Sequence, residues 1–150
     1  MKKKIPIGIS NFKRLIKENY YFIDKSLLIK EFIENGADII LTPRPRRFGK
    51  TLNMSMIKCF FDINMKEKKN RLNGEREYSR SLFNGLKIEK ETEIMKMQGE
   101  LPVISISFNG AKFNNFKDTM SRIKSLMSEV YLEHKYLLDS GALENIEKEE

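Results

Sequence analysis

The chain has 150 residues, 40% of them hydrophobic and 33% charged, the composition of a globular domain that buries about two-thirds of its unfolded surface on folding. No apolar run approaches the ~20 residues of a membrane span, and Pro6, Gly8 and Ser10 interrupt the sequence where a signal-peptide core would follow the basic Met1-Lys2-Lys3-Lys4. Net charge is +7 from 28 basic and 21 acidic residues, yet most lysines are interleaved with glutamate and read as solvated surface.

Ser10 is placed to cap a first short helix carrying Phe12, Leu15 and Ile16 at helical spacing. Tyr20 to Ile23 is aromatic and extended in character. Asp24 then reads as the N-cap of a helix to Asn35, with Leu27, Leu28, Phe32 and Ile33 as its apolar stripe and Gly36 as its stop. Ala37-Asp38-Ile39-Ile40-Leu41 has the pattern of a short buried strand. A tight loop follows, and then a helix from Lys50 to Phe61 with Leu52, Met54, Met56, Ile57, Phe60 and Phe61 apolar.

Residues 62–100 are dominated by charge over Lys66 to Arg76. Leu82-Phe83-Asn84-Gly85-Leu86 with Ile88 reads as a compact docking turn, and Glu89 to Glu100 as helix or loop. Leu101 to Phe108 is saturated with Val103, Ile104 and Ile106, as in a strand covered on both faces, and Pro102 is tolerated at its edge. Asn115, with Asp118 three residues on, is placed to cap a last helix. Phe116, Met120, Ile123, Met127, Val130, Tyr131, His134 and Leu138 keep helical spacing along it, and Gly141 offers a stop. The acidic Glu144 to Glu150 has the look of a linker or an interrupted element. The expected fold class is therefore α/β, P-loop NTPase-like, with an incomplete parallel sheet flanked by helices. Its parts are a helical segment at 1–36, strand, loop and helix at 37–61, a charged irregular segment at 62–100, and a strand with a long helix at 101–150.

The chemistry lies between the first strand and its helix. Arg44-Pro45-Arg46-Arg47-Phe48-Gly49-Lys50-Thr51 matches the Walker A pattern Gly-x-x-x-x-Gly-Lys-Ser/Thr except at its first glycine, where Arg44 stands. In such a loop successive main-chain N–H groups and the positive end of the next helix hold phosphate. Arg47, Phe48, Gly49, Lys50, Thr51 and Leu52 are the candidate nucleotide-binding residues. Lys50 is the candidate catalytic residue, reaching the β/γ-phosphates, and the Thr51 hydroxyl is the candidate metal ligand for Mg²⁺ bound with ATP. Pro43 and Pro45 lack N–H donors but lie in the ascending limb, and they bias Thr42 and Arg44 to extended backbone. A positive φ at Arg44 would cost about 1 kcal/mol or more.

Four segments together resemble the predicted bacterial AAA-ATPase-like family: Ile5-Pro6-Ile7-Gly8, Tyr21 to Ser26, Arg44 to Asn53, and Leu82 to Leu86. The resemblance covers essentially the whole chain, and it makes Arg44-Pro45 the family's own variant of the loop. It implies a P-loop ATPase fold, phosphate and Mg²⁺ roles for Lys50 and Thr51, and an Asp24-Lys25-Ser26 turn near the nucleotide. Many members carry a PD-(D/E)XK nuclease-like domain far downstream. Such ATPases need an acid at the end of a later strand, whereas Leu101 to Phe108 ends in Asn109-Gly110. The chain thus resembles the N-terminal portion of a longer ATPase, expected to self-associate or to pair with its missing C-terminal part.

Other residues carry less. His134 has no second ligand or nucleophile spaced to meet it, and Cys59 reads as a small core residue whose solitary thiol suits a reducing, cytoplasmic setting. Arg46 and Arg47 are placed to reach phosphate, to contact nucleic acid, or to pair with acids of a neighbouring subunit. The competing function is a non-hydrolysing interaction module whose basic loop contacts nucleic acid or a partner protein.

Overall fold

The computed structural model describes residues 3–63 and 80–138. The charged run Lys66 to Arg76, the stop at Gly141 and the acidic segment from Glu144 lie outside the described residues. The chain divides into two compact units, residues 1–103 and 104–150.

In the first unit, α1 (Phe12–Lys17) begins at Asn11, whose side chain accepts from the Arg14 amide. The cap is therefore Asn11, one residue after the expected Ser10. Helix α2 (Leu28–Asn35) ends at Gly36 with φ 62°, a left-handed cap that glycine adopts without a Cβ penalty. Helix α3 (Lys50–Phe61) has the bounds that the apolar spacing gives. It packs on α1, and its Ser55 hydroxyl accepts from the Phe12 amide at 3.0 Å. That bond satisfies one of the amides that every helix leaves unpaired in its first turn.

The core of this unit gathers one face from each element. Phe12, Ile29, Met56, Phe60, Phe61, Leu82, Phe83 and Ile88 are buried together. Four rings form its centre: Phe12 lies 5.1 Å from Phe83, Phe60 lies 5.3 Å from Phe83, and Phe60 lies 5.0 Å from Phe61. The latter two pairs are edge-to-face, the arrangement that the aromatic quadrupole favours. The expected docking turn is thus a core element, for Leu82 and Phe83 are both buried. A 3₁₀ turn at Lys87–Lys90 and a short helix, α4 (Thr92–Met95), complete residues 87–95.

The α/β reading with an incomplete parallel sheet is overturned. Among the described residues there is no strand, only two isolated parallel bridges, Lys4 with Tyr20 and Asp62 with Leu101. Both expected strands have the right residues but, among the described residues, no neighbouring segment that pairs along them. Ile39 is 88% and Leu41 84% exposed, where a buried strand was expected. Along Leu101 to Phe108 only Leu101 forms a bridge, while Ile104 and Phe108 are 63% and 61% exposed. Extended backbone becomes a strand only when a second chain segment supplies its hydrogen bonds, and an isolated pair is marginal in water. The described residues are organised by helix packing instead.

The second unit holds α5 (Phe116–Glu133). Asn115 caps it by accepting from the Asp118 amide at 2.8 Å, and its own amide donates to the Asp118 carboxylate at 2.7 Å. The expected six-turn helix ends earlier, at His134, and a 3₁₀ turn covers Lys135–Leu137. Leu126 is the buried residue of α5, whereas Phe116 and Tyr131 of the expected stripe are exposed. None of the described helices is long and apolar enough to cross a membrane.

Candidate nucleotide-binding loop

The loop from Thr42 to Gly49 is solvent-exposed along nearly its whole length, and its shape comes from two left-handed residues. Arg47 has φ 68° and Gly49 has φ 77°. Arg44 is not among the positive-φ residues. The positive φ falls instead at Arg47, where an arginine occupies a conformation that costs about 1 kcal/mol or more for a side chain with a Cβ. Gly49 has open space where a Cβ would stand, so φ is what position 49 demands. It serves as the N-cap of α3, and its carbonyl accepts the first helical bond, from the Asn53 amide at 2.8 Å.

Helix α3 presents its first two residues, Lys50 and Thr51, exposed at its amino end, and its first turn holds no acidic side chain. A 12-residue helix places partial positive charge at this end, from its unpaired amides and its macrodipole. The Lys50 ammonium turns back over the loop and donates to the Arg44 carbonyl oxygen, and more weakly to that of Pro45 at 3.5 Å. Leu52 faces the protein and packs against the core, leaving its main chain as the part that can face a ligand. Phe48 is 55% exposed. Arg44, Arg46 and Arg47 are likewise exposed and, with Lys50, make the loop strongly cationic.

The Asp24-Lys25-Ser26 turn makes hydrogen bonds to the 87–88 stretch. Asp24 accepts from the Ser26 amide at 2.9 Å and from the Lys87 amide at 2.7 Å. The fully buried Ser26 hydroxyl accepts from the Ile88 amide at 3.1 Å. Burial pushes the Asp24 carboxyl upward, but bonds from the Ser26 side chain and from the Ser26 and Lys87 amides outweigh it and hold the group below its ordinary value. Two separated stretches are thereby clamped beside the ring cluster. Asp24 is therefore not the cap of α2, which begins only at Leu28. The signal that was available is the Asp-x-Ser spacing, which favours a side-chain bond to the amide two residues on.

The remaining candidates have ordinary structural surroundings. Cys59 is a half-buried thiol, pushed up chiefly by burial, the opposite of an activated nucleophile. His134 ends α5, with Nδ1 3.3 Å from the Tyr136 hydroxyl. In the second unit, a shallow concavity is lined by Ser105, Ser107, Arg122 and Glu129. Its arginine is paired with Glu129 at 3.0 Å, leaving the site without a free cation for an anion.

Comparisons with known proteins place the chain in a family. The family described as Predicted AAA-ATPase matches residues 6–149. An uncharacterized protein in the vnfD 5′ region of Azotobacter chroococcum mcd 1 is 30% identical over 128 residues, covering 85% of this chain and 21% of that protein. The chain thus spans about a fifth of that relative's length. No solved structure matches.

Proposed function

From membership of the Predicted AAA-ATPase family, to which this chain belongs, we propose that the loop from Arg47 to Leu52 binds the phosphate tail of ATP. The observation that carries this reading is the double left-handed turn at Arg47 and Gly49, leading into a helix whose first two residues are an exposed lysine and an exposed threonine. Backbone of that shape turns successive amides toward one point, and the helix end adds its own positive potential. Lys50 supplies the side-chain cation and is the residue most concerned with catalysis. The main chain of Arg47, Phe48, Gly49, Thr51 and Leu52 supplies donors.

A magnesium ion fits the same reading. Mg²⁺ keeps most of its water and takes one or two protein oxygens together with the phosphates, so the exposed Thr51 hydroxyl is sufficient on the protein side. Among the described residues no group of three or more acidic, histidine or cysteine side chains could hold a metal alone, as suits an ion that arrives with its nucleotide. Turnover also needs a carboxylate to polarise the attacking water. The first turn of α3 contains none, so that acid must come from outside the helix start. These 150 residues are accordingly proposed to bind MgATP and to hydrolyse it very slowly on their own.

Titration with a fluorescent ATP analogue in magnesium buffer tests the binding. Lys50→Ala is expected to weaken affinity roughly tenfold, the loss of one charge-assisted bond to phosphate. Equal affinity of the two proteins rules the reading out. Affinity for DNA that survives the substitution and falls steeply with salt would instead identify the exposed arginines as a nucleic-acid contact.

A further inference from the structure

We infer that the open run Ile104 to Phe108 is a self-pairing edge, on which a second copy of this chain docks antiparallel about Ile106. Among the described residues, the main-chain N–H and C=O groups of Ile104 to Ser107 make no hydrogen bond. An open row of that kind is a template for a further strand. The side chains say which strand. Ile104, Ile106 and Phe108 are 63%, 41% and 61% exposed, and Ser105 and Ser107 alternate with them. Antiparallel alignment centred on Ile106 sets Ile106 against itself, Ile104 against Phe108 of the second copy, and Ser105 against its Ser107. Apolar side chains then meet on one face and hydroxyls on the other, as the cross-strand pairs of a sheet do. A slip of one residue opposes isoleucine to serine at every position from 104 to 107.

Charge favours the same partner. No charged residue lies between Glu100 and Lys112, so nothing within the run blunts the edge as a lysine would. These two residues bound the run in sequence. Antiparallel copies therefore bring unlike charge to each end, whereas in-register parallel copies bring like charge. A lone pair of strands is marginal in water without a helix behind it. Here Ser105, Ser107 and Asn109 line a shallow concavity together with Arg122, Leu126 and Glu129 of α5, so the run lies beside a helix. The second copy repeats that support about a twofold axis, which closes the assembly as a dimer. This pairing is independent of the nucleotide reading.

Sedimentation velocity of the 150-residue chain in nucleotide-free buffer, from about 10 μM to about 1 mM, tests the association, since so small an interface binds weakly. Wild type is expected to pass from monomer to dimer across that range. Ile106→Lys, which opposes two ammonium groups, is expected to stay monomeric. A monomeric wild type overturns the inference. So does a dimer that survives Ile106→Lys, which would put the contact on another face. Disulfide trapping in mild oxidant fixes the register, and it decides even where Ile106→Lys fails to fold. Ile106→Cys is expected to cross-link to itself roughly tenfold faster than Ile104→Cys, whose two thiols stand about 13 Å apart along the strands. A mixture of Ile104→Cys and Phe108→Cys is expected to link as fast as Ile106→Cys. Peptide mass mapping separates these links from any at Cys59. Equal rates for Ile106→Cys and Ile104→Cys overturn the pairing.

Discussion

Phe83→Ala is expected to remove about 3–5 kcal/mol of stability, the usual cost of deleting a fully buried ring. Phe83 is 0% exposed, and its ring lies 5.1 Å from Phe12 on α1 and 5.3 Å from Phe60 on α3. The substitution therefore opens a cavity at the point where two helices and the 82–88 turn converge. Rings held on both sides cannot collapse inward without moving a helix, which places the cost at the upper end of the range. A small domain has only about 5–15 kcal/mol in total, so the urea transition should shift far toward zero denaturant. Phe108→Ala is the matched control: Phe108 is 61% exposed, and surface replacements of this kind change stability by about 0.5 kcal/mol or less. A loss below about 1 kcal/mol at Phe83 would show that the ring cluster is not what holds the first unit together.

What the sequence made legible follows the range of the forces involved. Helix α3 is legible to the residue because its signal is local: apolar residues at helical spacing directly after the Gly-Lys-Thr of the loop. Asn115 and Gly36 were read for the same reason, each being a terminus whose chemistry lies within four residues. The Walker A-like loop was legible as a pattern. Its left-handed residue at Arg47 was not, because a consensus names residue types and leaves their backbone angles unstated. The two expected strands failed differently. Ile39 to Leu41 and Leu101 to Phe108 have strand composition, but a strand is a relation between two segments, and composition cannot report whether the partner is there. The long-range contacts were invisible in the same way. Nothing near Ser26 shows that its hydroxyl will receive an amide 62 residues away, and the buried Leu126 escaped a stripe that included the exposed Phe116 and Tyr131.

That long-range clamp gives the second large effect. Asp24→Ala is expected to cost about 2–3 kcal/mol, since one carboxylate serves two backbone amides and hydrogen bonds to a charged group are the strong kind. Asp24→Asn should recover little, because its single amide oxygen replaces only one of the two acceptors and its NH₂ would face a backbone donor. Ser26→Ala should cost about 1–3 kcal/mol by leaving the Ile88 amide buried without its acceptor. The carboxylate also fixes a pH dependence. Its hydrogen bonds hold the folded group below its ordinary value, so its contribution is fully present above the unfolded-chain value of about 4 and is lost as pH falls through the lower folded one. Wild type and Asp24→Ala should therefore differ most near neutrality and converge in acid, with urea midpoints at pH 7 and near pH 3 as the measurement. A gap that stays constant down to pH 3 would mean that the negative charge on Asp24 contributes nothing, and that the clamp holds by shape and neutral hydrogen bonds alone.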